Sequence, residues 1–375
     1  MKRILYVRNG PYKVNPNLYN LQEIGFCKEL CKLGYNCDII YYSDENKDEV
    51  IYEYNNYRVK LLWRKGIKIL RTGLYPRLLK KSFVNQYDLI ITTEYSQIMS
   101  LLWTLFNPPV VLYNGPYYNL FKVACMEKLY DFLFVKLLNK RLSKIFVKSP
   151  LSKGYLEKKG FKKVEVLGVG LDTSVFDEIT EIPQNVGKLM EFMQNNECIL
   201  YVGSLDKRKN FEFTLKVFEE VKKLRKDIQL IVVGKGKSNY VTSCLNKVDN
   251  ENRSSIVLME KIDNRFLKHI YSNATVFILP SKQEIFGMVL LEAMYFGVPT
   301  ISSKNGGSTT LIRNKVNGII EDDFSINNWA QDIMEILNNV AYKDSLRFDA
   351  KKTINENFTW KVVVNKFLKE VDKIK

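Results

Sequence analysis

The chain has 375 residues, of which 46% are hydrophobic and 26% are charged, and its formal net charge is +16. That length is too great for one ordinary hydrophobic core and predicts two domains of ~150–200 residues each. No apolar run approaches the roughly 18–20 residues of a membrane span, and the basic opening "MKRILYV" lacks a small-residue cleavage site. We therefore expect a folded cytoplasmic protein, whose positive charge permits nucleic acid, anionic membranes or phosphorylated ligands as partners.

Six cysteines and a single histidine bear on metal binding. One histidine excludes a His-rich metal site. Cys27, Cys31 and Cys37 cluster in the sequence, so a cysteine metal site is conceivable. Cys27 and Cys31 have helical spacing at positions where apolar residues belong, and free cysteine packs as a small hydrophobe. We favour core positions for all three and expect no metal site.

The first half of the chain alternates strand and helix patterns. An apolar strand at 3–7 precedes a helix at about 18–33, which Gly34 ends. Further strands are predicted at 36–42, 87–93, 109–114, 144–149 and 163–168. Strands that alternate with helices indicate a parallel sheet covered on both faces.

A polar stretch at 178–197 interrupts this alternation, and we interpret 179–197 as a linker between domains at 1–178 and 198–359. Beyond it the alternation resumes, with strands at 198–204, 228–234, 255–260, 274–280 and 299–303, and helices at 210–224, 264–272, 287–296 and 360–374. The pattern predicts an α/β fold of two Rossmann-like, doubly wound domains whose strand ends open toward a central cleft.

Two glutamates stand in the largely apolar stretch "ILPSKQEIFGMVLLEAMYFGVPTISS". Glu284 falls in a loop after a predicted strand, where open α/β sheets bind ligands. The amides of Phe286, Gly287 and Met288 are the donors of the next helix N-terminus, and Gly287 admits close approach of a ligand. Glu292 lies more than one turn into that helix, where a charge needs a partner. Its carboxylate could bind a vicinal diol such as ribose, or pair with a lysine or arginine of a neighbouring element.

Other predicted strand ends carry residues of the same type. In "YVGSLDKRKN", Lys207, Arg208 and Lys209 crowd the positive end of a helix dipole, which a bound diphosphate would relieve. The alternative is a solvated run of charge. Gly234 and Gly236 follow a third strand, and Gly306 and Gly307 follow a fourth. Together these loops describe a nucleotide-diphosphate pocket.

The chain resembles the retaining glycosyltransferases of GT-B fold, family 4 (glycosyl transferases group 1). The E-x7-E signature is present as Glu284 and Glu292 in family-like flanks, and "GSLDKRKN" is similar to the family's phosphate loop. The resemblance implies that Glu292 holds the ribose and that Glu284 faces the transferred sugar. It implies that Lys209, assisted by Arg208, neutralises the diphosphate. It also implies that a C-terminal helix at 360–375 packs back on the first domain. The donor-binding residues that we assign are Glu292, Phe286, Gly287, Met288, Gly203, Ser204, Gly234, Gly236, Lys261 and Ile262.

The chain also departs from the family pattern. The family often has arginine at the position of Ser204 and glutamate at the position of Thr310. Many members carry a first-domain histidine near the reacting sugar, whereas the single histidine here is His269 in the second domain, a predicted surface or packing residue. As acceptor-side candidates we name Gly10, Glu94 and Asn114, which follow first-domain strands.

The resemblance implies transfer of a sugar, with a UDP-sugar favoured as donor, to a glycan or lipid-linked acceptor in surface polysaccharide biosynthesis. We expect no metal and no cofactor. The alternatives are a non-catalytic subunit that binds a nucleotide sugar, and a GT-B nucleotide-sugar epimerase. The basic, apolar segments 58–81 and 119–149 favour an anionic membrane surface as partner, at the inner face of the cell membrane. Ordinary solvated helices are the alternative there, and nothing indicates a nucleic-acid partner.

Overall fold

The structure is a computed structural model that describes residues 2–16, 21–69, 71–121, 123–177, 181–260 and 262–374. The chain forms two compact units. The first unit comprises the residues up to Gly170 together with those from Trp360 onward, and the second runs from Leu171 to Thr359. Of the helices in these ranges, none combines the length and the apolar character that crossing a membrane requires.

The first unit is built on an eight-stranded sheet in the order β10-β9-β8-β7-β1-β2-β4-β3, in which only β3 is antiparallel to its neighbour. A separate hairpin is formed by β5 and β6. The strands are β1 Arg3–Val7, β2 Asn36–Ser43, β3 Lys47–Tyr54, β4 Tyr57–Lys65, β5 Ile67–Ile69, β6 Thr72–Leu74, β7 Leu89–Thr93, β8 Val110–Asn114, β9 Lys144–Val147 and β10 Val164–Val166. The helices are α1 Gln22–Lys32, α2 Lys81–Val84, α3 Ile98–Trp103, α4 Ala124–Arg141 and α5 Pro150–Lys158.

The central strands of this sheet are nearly continuous runs of buried apolar residues, as expected when helices cover both faces. The clustered cysteines belong to this core. Cys27, Cys31 and Cys37 are fully buried on α1 and β2. Burial raises the pKa of Cys31 to about 11. These cysteines therefore pack as small hydrophobes.

The interpretation of 58–81 as a basic amphipathic surface is wrong for β4, whereas Ile67 and Ile69 of the small hairpin are exposed. Residues of that segment form β4 and the small hairpin, and Val59, Leu61 and Leu62 of β4 are buried in the unit. Two cations of β4 meet Asp48 of β3, which lies 2.6 Å from Arg64 and 3.6 Å from Lys60. The strand was obscured in the sequence because apolar residues and cations are interleaved without the strict alternation of a half-buried strand.

The second unit is built on a six-stranded parallel sheet in the order β13-β12-β11-β14-β15-β16. Counted within the unit this is 3-2-1-4-5-6, the order of a Rossmann sheet. The strands are β11 Cys198–Val202, β12 Gln229–Val233, β13 Ile256–Met259, β14 Val276–Leu279, β15 Thr300–Ser303 and β16 Ile319–Glu321. The helices are α6 Gln184–Gln194, α7 Phe211–Leu224, α8 Ser238–Leu245, α9 Asn250–Arg253, α10 Asn264–Ser272, α11 Met288–Tyr295, α12 Ser308–Leu311, α13 Ile326–Asn338 and α14 Val340–Asn357.

The segment 179–197, expected as a linker, contains helix α6, and the chain enters the second unit earlier, at Leu171. Val186, Leu189 and Met193 of α6 are buried at intervals of three and four residues and form an apolar stripe. The surrounding asparagines and glutamines give the segment a polar composition, which concealed this helical pattern in the sequence.

The last helix, α15 at Trp360–Val371, belongs to the first unit. Its Trp360 packs against Phe26 of α1, with ring centroids 5.7 Å apart, and Phe367 contacts the same ring at 5.0 Å. Gly25 and Gly170 make room for the indole, because a Cβ atom at either position would lie 2.2 Å and 2.5 Å, respectively, from Trp360 ring atoms. Lys144 of β9 pairs with Glu370 at 2.9 Å.

Candidate functional site

The candidate site lies at the point where the strand order of the second unit reverses. Strands β11 and β14 are neighbours in the sheet, and the chain extends from β11 toward one edge and from β14 toward the other. In open α/β sheets, ligands bind outside the carboxyl ends of strands at such a switch point. The loop 203–210 follows β11 and the loop 280–287 follows β14. These two loops carry most of the residues that the sequence singles out.

Asp206 shapes the loop after β11. Its carboxylate accepts hydrogen bonds from the Lys209 amide at 2.7 Å and from the Ser204 hydroxyl at 2.7 Å. Burial alone would raise the pKa of Asp206, but these hydrogen bonds and the nearby Arg208 charge lower it below its usual value. The Ser204 hydroxyl is thus engaged within the loop, and its predicted contact with the donor stays a prediction. Sequence reasoning missed Asp206, although an aspartate in a turn before a helix start is a known signal.

The cations of this loop converge on Glu284 of the other loop. The buried Lys209 ammonium donates a hydrogen bond to Glu284 Oε2, and Arg208 Nη1 lies 3.6 Å from the same oxygen. Arg208 also donates to the Gln283 carbonyl at 3.0 Å, and the Lys282 amide donates to the Arg208 carbonyl at 2.9 Å. The structure thus brings together the three residues predicted as catalytic, whereas Lys207 is exposed.

The loop after β14 approaches the loop after β15 so closely that glycines are required. A Cβ atom at Gly306 would lie 2.0 Å from the Ile285 carbonyl oxygen, and one at Gly307 would lie 1.6 Å from the Phe286 carbonyl oxygen. The buried Asn305 fixes this loop, because its Oδ1 accepts from the Gly307 amide at 2.9 Å. These glycines therefore serve backbone packing, and Asn305 is a further residue that sequence reasoning missed.

Gly287 stands at the N-cap of α11 with a φ of +76°, in the left-handed region that favours glycine. It cannot supply a side-chain cap, so the amino end of α11 retains its positive dipole near Glu284. A Cβ atom at Gly287 would lie 3.1 Å from Glu284 Cγ. Phe286 is buried, and Met288 is half-buried in the first turn of α11.

Glu292 is 2% exposed in the middle of α11. The Tyr271 hydroxyl of α10 donates a hydrogen bond to Glu292 Oε2 at 3.0 Å. The Tyr271 ring is fixed in turn by stacking on Phe296 at 5.8 Å. This contact is compatible with both interpretations of the Glu292 carboxylate, which are pairing with a lysine or arginine and binding of a diol. Sequence reasoning did not anticipate Tyr271, because its spacing on α10 looks like an ordinary core position.

The glycines assigned to the donor lie between neighbouring loops. A Cβ atom at Gly234 would be 1.8 Å from the Gly203 carbonyl oxygen, and one at Gly236 would be 2.3 Å from the Leu205 carbonyl oxygen. Close backbone packing thus suffices to explain both positions. Ile262 is buried, and Lys261 lies outside the described residues.

The acceptor-side candidates occupy strand ends of the first unit. Asn114 is buried at the end of β8 and its amide group is engaged within the unit. It accepts from the Tyr95 amide at 3.2 Å and donates to the Pro116 carbonyl at 2.9 Å and to Ser152 Oγ at 3.1 Å. The Asn114 side chain is thus held within the unit, and its assignment to the acceptor stays a prediction.

Glu94 follows β7 with a φ of +61°, and its carboxylate accepts from Gln97 Nε2 at 3.1 Å. Such a conformation is uncommon for a side chain without a short polar group. Gly10 follows β1, and a Cβ atom there would lie 3.1 Å from the Tyr12 ring.

His269, the single histidine, is on α10, where burial and the Lys268 charge lower its pKa.

The arrangement in the second unit suits an anionic ligand next to a polyhydroxylated one. Two cations and the amino ends of α7 and α11 meet at one edge of the sheet, and two carboxylates accompany them. Within the described ranges, no group of three or more His, Cys, Asp or Glu side chains is placed to hold a metal ion.

Sequence comparison connects this unit with known proteins. Residues 190–353 match the family model described as "Glycosyl transferases group 1". An uncharacterized glycosyltransferase of Methanocaldococcus jannaschii is 26% identical over 201 residues, which cover 53% of this chain and 51% of the relative. The capsular polysaccharide biosynthesis glycosyltransferase CapM of Staphylococcus aureus is 23% identical over 223 residues, which cover 56% of this chain and 57% of CapM. The chain thus spans about half the length of the curated relatives that it matches.

Structural comparison covers the entire chain. The Anabaena protein HepE, in complex with UDP, superimposes with a TM-score of 0.74 over 100% of both chains at 14% identity. That likeness confirms the predicted α/β fold class. The second unit therefore matches the glycosyl transferases group 1 family model over residues 190–353, and the chain has the α/β fold of the GT-B glycosyltransferases.

Proposed function

We propose that this protein is a retaining glycosyltransferase of family 4. It transfers a sugar from a nucleotide diphosphate sugar, with a UDP-sugar favoured, to a glycan or lipid-linked acceptor in surface polysaccharide biosynthesis. The contact of Lys209 and Arg208 with Glu284 at the switch point of the group 1 domain carries the proposal. The structural neighbour HepE forms complexes with UDP and with UDP-glucose, which supports the choice of donor.

In this proposal the diphosphate of the donor takes over the cations that now face Glu284. Lys209 and Arg208 stabilise the negative charge that develops as the bond between the anomeric carbon and the diphosphate oxygen breaks. The Glu284 carboxylate, released from Lys209, accepts hydrogen bonds from the sugar hydroxyls. The acceptor hydroxyl oxygen then bonds to the anomeric carbon on the face that the diphosphate leaves, and its proton departs with the diphosphate.

Glu292 holds the ribose of the donor through its two hydroxyls, with Tyr271 fixing the carboxylate orientation. Met288, Phe286 and Gly287 contribute amides at the amino end of α11. The segment at Ile262 and the loops at Gly203, Gly234 and Gly236 are proposed to border the base.

We also propose that catalysis needs no metal, because Lys209 and Arg208 supply positive charge where other enzymes place a divalent cation. Initial rates measured before and after dialysis against a chelator test this point. Activity that disappears on dialysis and returns with a divalent metal would contradict metal independence while leaving sugar transfer intact.

The proposed setting is the cytoplasmic side of the cell membrane, where lipid-linked acceptors and nucleotide sugars meet. The similarity to CapM, a glycosyltransferase of capsular polysaccharide biosynthesis, supports an acceptor of this class. The formal net charge of +16 favours attraction to an anionic lipid surface.

The first experiment is calorimetric titration of UDP, GDP and ADP into the purified protein and into Glu292→Gln. We expect selective binding of one nucleotide, and its loss in the variant, because the amide cannot replace a carboxylate that accepts from both ribose hydroxyls. Glu251→Gln on the exposed helix α9 is the matched control and should bind as the wild type does. Absence of binding to any nucleotide by the folded wild type would refute the donor site.

Product analysis separates transfer from the alternatives. The single histidine, His269, lies on α10 of the second unit, so the first unit has no histidine to face the reacting sugar, and a non-catalytic nucleotide-sugar-binding subunit is the second candidate. The purified chain is incubated with the nucleotide sugar that it binds, with and without acceptor glycan. A glycosylated product indicates transferase activity, an epimerised donor without acceptor indicates the epimerase, and binding without turnover indicates the subunit.

A further inference from the structure

Helix α4 of the first unit exposes an unusual set of side chains. It has 18 residues and therefore extends for about 27 Å. Phe132 is 84% exposed and Leu129 is 59% exposed on its outer face. The exposed apolar side chains at this helix are Val123, Met126, Leu129, Phe132, Leu133 and Leu137. Monomeric soluble proteins rarely leave a contiguous apolar strip of this kind uncovered.

The charged residues of α4 are sorted between its two faces. The two acids of the helix, Glu127 and Asp131, turn inward and pair with Lys159 at 2.8 Å and 2.5 Å. Hydrogen bonds from Lys159 and Tyr155 lower the pKa of Glu127 against the opposing effect of burial, so this carboxylate stays ionised. The exposed charges of α4 are the cations Lys128, Lys136, Lys140 and Arg141.

The inner face of α4 is packed firmly into the first unit. Val135 and Leu138 are buried in its core, and the Tyr130 hydroxyl donates to the Tyr95 carbonyl at 2.9 Å. Tyr95 follows β7, so α4 lies beside the carboxyl ends of the strands of this unit. The outer strip is therefore presented by a fixed helix, and the exposure of Phe132 does not result from a loosely attached segment.

We propose that the outer face of α4, defined by Met126, Leu129, Phe132, Leu133, Leu137 and the cations Lys128, Lys136 and Lys140, docks on an anionic lipid bilayer. In-plane helices insert apolar side chains between headgroups while flanking lysines meet anionic phosphates. The face supplies both components and no acid. The choice of a lipid acceptor rests on the proposed function, but docking itself does not.

Charge complementarity favours a bilayer over a second copy of the chain. Two copies that met through this face would bring the same lysines together, and the cores of protein interfaces are depleted of lysine. The net charge of +16 opposes self-association further. An anionic surface accommodates the apolar strip and the cations at once. Docking also brings the carboxyl ends of the first unit's strands close to the bilayer, where a lipid-linked acceptor would be accessible.

The test is flotation of the full chain with vesicles of phosphatidylcholine containing one-third phosphatidylglycerol, and with vesicles of phosphatidylcholine alone. We expect binding to the anionic vesicles that weakens as salt is added. Phe132→Glu should lower the partition coefficient by about tenfold or more, because it removes an inserted ring and adds repulsion. Phe348→Glu, at a position 67% exposed on α14 of the second unit, is the matched control and should bind as the wild type does.

The cations are tested separately. Lys136→Glu and Lys140→Glu together should abolish the preference for anionic vesicles, whereas Lys352→Glu on α14 should preserve it. Unchanged flotation of Phe132→Glu, or equal loss in Phe348→Glu, would overturn the proposal. A dimer in sedimentation velocity that Phe132→Glu dissociates, without vesicle binding by the wild type, would assign the face to a second copy and also overturn it.

Nucleotide titration of the same proteins separates this inference from the proposed function. Phe132→Glu should bind UDP as the wild type does, because Phe132 belongs to the first unit and takes no part in the donor site. Vesicle binding without nucleotide binding would support docking and refute the donor site. Nucleotide binding without vesicle binding would support the donor site and refute docking.

Discussion

The Lys209 ammonium donates a hydrogen bond to the Glu284 carboxylate, although 75 residues separate them in the chain. The contact joins the loops after β11 and β14, which are adjacent in the sheet because the strand order reverses there. Both side chains are largely withdrawn from solvent, at 10% and 14% exposed, so each charge compensates the other in this structure. Their position at this edge fits the proposed function, in which the diphosphate and the sugar of the donor contact them in turn.

Lys209→Met should weaken UDP binding by about tenfold or more, because a charge-assisted contact with phosphate is lost. Glu284→Gln should have the opposite effect on UDP, since Lys209 is then no longer neutralised by a carboxylate and meets the diphosphate at full charge. Calorimetric titration of UDP into both variants measures the two effects. Wild-type affinity in Lys209→Met would exclude this lysine from the phosphate site.

Turnover should separate the role of Glu284 in catalysis from its effect on UDP binding. Glu284→Gln should lower kcat with a nucleotide sugar by about 10²–10³, although it binds UDP well, because the sugar loses a contact that matters in the transition state. Steady-state kinetics on the purified variant provide the measurement. Loss of UDP affinity in parallel with turnover would instead indicate that Glu284 organises the loop.

Tyr271→Phe should weaken nucleotide binding by an amount near 1 kcal/mol, or about fivefold, because Glu292 loses a donor that orients it. The matched control is Tyr342→Phe. The Tyr342 hydroxyl is buried and has no hydrogen-bond partner within the described ranges, so its removal should leave both nucleotide affinity and stability unchanged or slightly improved. Equal effects of the two variants on nucleotide affinity would show that Tyr271 acts only through packing.

The sequence predicted the fold class and the central strands of both sheets because buried parallel strands read as continuous apolar runs, but it missed β3, β4 and β16, which lie at or next to a sheet edge. The sequence did not predict which loops lie next to each other. That Lys209 and Arg208 lie beside Glu284 follows from the strand order, which no local pattern encodes. Asp206 and Tyr271 were missed because their roles consist of contacts made in three dimensions. Helix α6 was missed because three apolar residues stand among polar ones.

Gly307→Ala should destabilise the second unit and abolish nucleotide binding, because a Cβ atom there would lie 1.6 Å from the Phe286 carbonyl oxygen and would push the loop after β14 outward. Gly187→Ala in helix α6 is the control, since nothing lies within 4 Å of its Cβ position. It should stabilise the unit by about 0.5–1 kcal/mol through helix propensity. Urea unfolding of the second unit, followed by nucleotide titration of the folded variants, checks both.

The carboxyls of Glu321 and Asp332 predict a pH dependence of stability. Burial, and then the neighbouring Asp332, raise the pKa of Glu321 to about 7. A folded-state pKa above the unfolded value means that the contribution to stability is present at low pH and is lost as the pH rises through 7. Thermal unfolding between pH 5 and pH 8.5 should therefore show a decline for the wild type that Glu321→Gln reduces. Asp322→Asn, at an exposed neighbouring position, is the control and should show the same decline in stability with pH as the wild type. If stability declines equally in Glu321→Gln, the pair of carboxyls is not the cause of the decline.

Gly25→Ala should detach the C-terminal helix from the first unit. The Cβ atom would lie 2.2 Å from Trp360 Nε1, and the indole has little room to shift because Gly170 also packs closely enough on it that a Cβ atom there would lie 2.5 Å away. Overpacking of this kind costs about 1–3 kcal/mol. Gly154→Ala on α5 is the matched control, since nothing lies within 4 Å of its Cβ position. Hydrogen exchange measured along α15 reports on the helix directly. The amides of Trp360–Val371 should exchange faster in Gly25→Ala and at the wild-type rate in Gly154→Ala. Protection of α15 in both variants would show that the helix is held without the tryptophan.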